Sequence, residues 1–109
     1  MAWLLRDGQV LASISVADSL AARARGFSAR DESDGAVYLA PARFAHALGV
    51  GCALDVAFVD DELTVLTTCR LGMPRMGRWC HGAHGVLEAE AGAFERWTLR
   101  AGDRLEIRT

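Results

Sequence analysis

The sequence contains no lysine and no asparagine, so every basic side chain apart from three histidines is an arginine. Twelve arginines stand against fourteen acidic residues, leaving a formal net charge of −2. A chain so balanced has no general field to draw it onto nucleic acid or an anionic membrane surface. With alanine abundant, the arginine bias reads as the codon usage of a GC-rich genome and implies no mechanism. No apolar run approaches the roughly 18 residues that a membrane helix needs. The opening Met1-Ala2-Trp3-Leu4-Leu5-Arg6-Asp7 is charged too early for a signal peptide. Cysteines number three, Cys52, Cys69 and Cys80, an odd count that without an export signal predicts reduced thiols and a cytoplasmic protein. Repeats, linkers and composition breaks are also missing, so residues 1–109 read as a single domain with a modest core.

What is present is globular: 51% hydrophobic and 24% charged residues exclude a disordered chain. The densest run of β-branched and aromatic residues lies between Leu54 and Cys69. It reads as two strands joined by an acidic turn at Asp60-Asp61-Glu62. Leu54, Val56 and Phe58 share one face of the first strand, and Asp55, Ala57 and Val59 the other. Strands apolar on both faces are covered on both, which places this hairpin centrally in a sandwich or a small barrel-like structure.

Around it, residues 2–6 and 9–16 predict a hairpin turning at Asp7-Gly8, with Val10, Ala12, Ile14 and Val16 facing inward. Asp18 is placed to cap a short helix from Ser19 to Arg25, ended by Gly26, with Phe27 folding back onto Leu20 or Ala24. Ala36–Leu39 is a short strand, 71–85 a long irregular loop, and Val86–Glu90 a half-exposed strand. A second short helix runs from Gly92 to Trp97, and Leu105 and Ile107 face inward from the last strand. The fold class is therefore mainly β (α+β), a compact barrel-like or sandwich structure with two short helices.

The order of Arg25-Gly26-Phe27, Leu54-Asp55-Val56-Ala57-Phe58-Val59-Asp60, Val86-Leu87-Glu88 with Ala91-Gly92, and Gly102-Asp103-Arg104-Leu105 resembles domain-of-unknown-function family 192. These are small β-rich domains common in bacteria and archaea. Many relatives carry a tryptophan-methionine-lysine-asparagine run before the Leu-Asp pair. Here Phe44-Ala45-His46-Ala47-Leu48-Gly49 stands in its place, similar to a branch that uses histidine. Ala53 replaces a usual proline, and Val50 a methionine of that branch. The resemblance implies the compact β-fold and carries no reaction with it.

Four groups of residues are candidates for chemistry. Asp55 is a carboxylate within an apolar strand and needs a partner: loop amides or an arginine, which would fix the loop before it, or His46 as an acid–base pair. Cys80, His81 and His84 suggest a metal, with Cys69 or His46 to complete it. Adjacent Cys-His rarely satisfies tetrahedral zinc, however, and no second ligand pair supports it, so neither metal nor cofactor is assigned. Cys52 and Cys69 lie in apolar strand contexts where thiols are inert. Arg75, Arg78 and Trp79 pair two guanidiniums with an aromatic, a combination that suits an anionic ligand or a protein interface. The plainer reading there is a solvated loop with Trp79 tucked into the core.

Together these features predict a non-catalytic binding or accessory module, monomeric or weakly dimeric. It would contact a small anionic ligand or a protein partner through the 71–85 loop, with no nucleic acid and no membrane. The competing class is a small hydrolase or lyase using His46 and Asp55.

Overall fold

A computed structural model describes residues 1–109. Strands β1 (Ala2–Arg6) and β2 (Gln9–Ala17) form the first hairpin. Its turn residues Asp7 and Gly8 both have positive φ, 53° and 78°, the geometry that matches the twist of a two-residue hairpin. The register then shifts between Leu4 and Leu5. Ile14 is buried as the alternation predicts, but Val10 and Val16 lie exposed and join no core cluster. A bulge displaces the pattern at Val10, and at the other end of β2 Val16 lies in water while Ala17, on the opposite face, is buried.

Helix α1 (Leu20–Arg25) is capped by Ser19, one residue later than expected: its hydroxyl accepts from the Ala22 amide at 3.1 Å. Gly26 ends it at φ 59° and opens a 3₁₀ turn through Ala29. Phe27 is buried against the sheet, not against Leu20, which points into solvent. The segment serves as the crossover that lets β3 (Ala36–Leu39) run parallel to β2.

The predicted central hairpin is β5 (Leu54–Val59) and β6 (Val65–Leu71). All six residues of β5 are buried, so its two apolar faces are both covered. By contrast β6 alternates between buried and exposed positions, because it forms one edge of the sheet. Asp60 organises the connecting turn, its Oδ1 accepting from the Glu62 and Thr64 amides at 2.9 Å each. The acidic cluster is thus a turn, as its composition predicts.

Short strands β4 (Phe44–His46) and β7 (Gly77–Trp79), β8 (Gly85–Glu90), helix α2 (Ala93–Trp97) and β9 (Glu106–Arg108) complete the chain. Seven strands make one sheet in the order β6-β5-β8-β3-β2-β1-β9, while β4 and β7 pair separately. Backbone bonds join Val65 to Asp103 and Leu63 to Leu105, with a bridge between Thr64 and Arg104, so the two sheet edges touch. The sheet therefore curls on itself but is not a closed barrel, since β6 and β9 meet only there.

Two apolar clusters follow from that curl. One gathers Leu4 of β1, Leu87 of β8 and Val65 of β6, from opposite ends of the sheet, and so fills its inside, plugged by Phe94 of α2. The other, on the outer face, packs Val37, Val56, Phe58 and Val86 beneath Phe27 and Ala45. Strand β8 is consequently buried along Gly85–Ala89, not half-exposed as its alternation suggested. No helix is long and apolar enough to cross a membrane.

Candidate functional site

The 71–85 segment is not the irregular loop its glycines suggested. After a tight turn closed by the Gly72 amide on the Arg75 carbonyl (2.7 Å), it forms β7, which pairs with β4. The register sets Phe44 opposite Trp79, Ala45 opposite Arg78 and His46 opposite Gly77. Strand alternation then puts Phe44, Trp79 and His46 on the outer face, and Ala45 and Arg78 on the inner one.

The outer face is aromatic. The Phe44 ring lies over Gly77, where a Cβ would come within 2.9 Å of its Cζ. It also meets Trp79 with ring centroids 4.8 Å apart, and the His81 ring lies nearly parallel to that of Trp79, at 6.4 Å and 16°. Trp79 is nonetheless 64% exposed and Phe44 38% exposed. The indole is thus supported by neighbours but uncovered, and the reading that tucked it into the core does not hold.

The inner side carries charge. Arg75 and Arg78 both lie near the Cys69 thiol, which burial pushes up and the two guanidiniums pull back down. Neither arginine forms an ion pair. Arg75 and Arg78 thus both act on the Cys69 thiol, while Trp79 belongs to the opposite face of the strand that carries Arg78. At the edge of β6, Cys69, Arg70 and Arg75 line an open groove of about 360 Å³.

His46 and Asp55 are not brought together. Asp55 is 4% exposed, and its oxygens are fully engaged. Oδ1 accepts from Arg70 Nε at 3.0 Å, and Oδ2 from the Gly92 and Phe94 amides at 2.9 and 3.2 Å. It fixes the first turn of α2 over the inside of the sheet. His46 lies on the outer layer, with Nε2 bonded to the Ala24 carbonyl at 2.8 Å and Nδ1 accepting from the Leu48 amide at 3.2 Å. With Nδ1 accepting, Nε2 is the nitrogen that donates, to the Ala24 carbonyl. The acid–base couple of the hydrolase reading is therefore not assembled: each member is occupied by backbone on its own side of the sheet. No group of three or more histidine, cysteine or acidic side chains is arranged to hold a metal ion, so Cys80, His81 and His84 do not converge with a further ligand.

One group escaped the sequence reading. Glu88 of β8 is completely buried, and neither carboxyl oxygen has a hydrogen-bond partner. Burial pushes its pKa up to about 7, and the nearby Phe27 amide pulls the other way more weakly. The Gly26 turn presses onto it: a Cβ there would lie 3.3 Å from Glu88 Oε1 and 3.6 Å from His46 Nε2. The signal available was the one that singled out Asp55, a carboxylate in an apolar strand, but alternation made Glu88 look solvated.

Comparison with known proteins bears on this geometry. The sequence profile of the DUF192 family, described as an uncharacterized ACR, matches residues 2–107. No curated protein matches the chain. A crystal structure of a protein of unknown function from Novosphingobium aromaticivorans DSM 12444 is similar at TM-score 0.74 and 18% identity, over 96% of this chain and 82% of that one. One from Sinorhizobium meliloti 1021, described only as a candidate transcription regulator, is similar at 0.75 and 20%, over 96% and 90%. At such identities the likeness shows the fold alone.

Proposed function

Because the chain belongs to DUF192, a family whose description names no reaction, we propose from the site itself that this protein is a non-catalytic binding module. It docks an acidic polypeptide segment through the β4–β7 hairpin. The observation that carries this reading is the exposed Trp79, braced by Phe44 and His81 and left in water. A supported indole on the outer face of the hairpin, with Arg75 and Arg78 reached around its edge, supplies the tryptophan and arginine of an interface hot spot. Arg75 and Arg78 have no carboxylate of their own, so an acidic segment crossing the hairpin's edge would supply one to each. The overall charge of −2 makes this local basic edge a source of orientation rather than of general attraction.

Calorimetric titration with synthetic peptides rich in Asp and Glu around one apolar anchor tests the reading. Trp79→Ala should weaken the tightest peptide by about 2 kcal/mol, or about thirtyfold. Arg75→Ala with Arg78→Ala should reduce the salt dependence of binding. If both variants bind as the parent does, the hairpin is not the docking surface. If inorganic phosphate binds at Arg75 and Arg78 with no help from Trp79, a small-anion site replaces the polypeptide reading.

A further inference from the structure

Five sulfur side chains lie beyond Met1, and four of them line two adjoining grooves at the same end of the sheet. The first groove, of about 350 Å³, is walled by Cys52, Met73 and Met76, the rest of its lining being Ala47, Gly51, Ala53 and Gly72. Cys69 and Met73 face the second. The backbone holds the contributing loops together. The Ala47 amide bonds the Met76 carbonyl at 2.8 Å, and the Ala53 carbonyl accepts from Ala91 at 3.0 Å. At Gly72 a Cβ would come within 3.1 Å of the Ala53 Cβ, so the Cys52 loop and the Met73 turn are in close contact.

The chemistry of that lining is selective. It offers one thiol and two thioethers, with no imidazole and no carboxylate. Zinc wants four nitrogen, sulfur or oxygen donors in a tetrahedron, and hard cations want oxygen. Soft sulfur donors in low number suit a monovalent soft ion. Methionine also packs cores, and Met76 is half-buried against the outer apolar cluster, but Met73 is 87% exposed and fills none. Its flexible thioether is free to swing over the groove. Cys52 is exposed and unpaired, so its sulfur is accessible.

We propose that Cys52, Met73 and Met76 form a binding site for a soft monovalent metal ion, Cu(I) being the physiological member of that class. Cys52 binds as the thiolate and gives its proton to solvent, and the two thioethers donate lone pairs. No electron is transferred, and the neutral copper–thiolate unit suits the apolar walls. The site is separate from the outer face of the hairpin, so it stands or falls independently of the docking reading.

The test is an anaerobic titration of the reduced full-length protein with Cu(I), in competition with bicinchoninate, and a native mass spectrum of the product. The expected result is one Cu(I) per chain, lost in Cys52→Ser and weakened in Met73→Leu with Met76→Leu. Those methionine replacements keep volume and apolarity, and unchanged circular dichroism shows that the fold survives. Failure to hold Cu(I) against the chelator overturns the site, as does undiminished retention in either variant. Loss in Cys69→Ser but not in Cys52→Ser overturns it too, by moving the ion to the neighbouring groove.

Discussion

Replacing Glu88 by glutamine should remove most of the fall in stability that the protein suffers between pH 5 and pH 8. The sign follows from the two states of the carboxyl. Unfolded, it titrates near its ordinary value of 4.5; folded, burial holds its pKa up at about 7. Below 4.5 both states carry the proton, and the folded protein is under no penalty. As pH rises from there toward 7, the unfolded chain ionises while the folded chain must keep its proton or bury a bare charge. Stability is therefore present at low pH and lost as pH climbs through the folded value. A shift of this size corresponds to about 3 kcal/mol. Urea unfolding of the parent at pH 5 and pH 8 measures the fall, and the same pair of measurements on Glu88→Gln removes the titration while keeping the shape. Histidines and other carboxylates are common to both proteins, so the difference between the two pH profiles isolates Glu88. Profiles that run parallel would mean that Glu88 is solvated or paired in solution, and the packing of the Gly26 turn over it would have to be redrawn.

Glu88 also shows where sequence reading stops. The alternation of Val86 to Glu90 specifies a strand, and β8 is one. Whether its second face meets water depends on Phe27 and Ala45, which come from distant parts of the chain. The central hairpin was legible for the opposite reason: its β-branched density and the Asp60 turn are local signals. Strand β7 was not, because Gly77-Arg78-Trp79 has no propensity pattern and becomes a strand by pairing with β4. From that pairing follows the division of the predicted site, since alternation sends Arg78 and Trp79 to opposite faces. The arginines could be named from the sequence, but their arrangement could not. A bulge at Leu4/Leu5 likewise leaves no mark in composition, and it is part of why Val10 lies in water.

Asp55 was read correctly as a carboxylate in need of partners, and its replacement should cause the other large loss. Asp55→Ala leaves the Gly92 and Phe94 amides, at the start of α2, without an acceptor. It also frees Arg70, whose guanidinium is more than half exposed and can return to water at little cost. The penalty therefore sits mainly in the two amides and the gap beneath α2, and amounts to about 3 kcal/mol. In a domain of this size that lowers the midpoint of thermal unfolding by about 10 °C or more. Asp55→Asn keeps one oxygen for the amides but turns an NH₂ donor toward Arg70, or the reverse, so its loss should be smaller than that of alanine. Because α2 covers the inside of the curled sheet and the β4–β7 hairpin lies on the outer layer, peptide binding below the new melting point should stay at the parent level. A variant that melts like the parent yet loses binding, or loses a hydrolytic activity found in the parent, would contradict this division. It would return Asp55 to the chemistry that its hydrogen bonds now deny it.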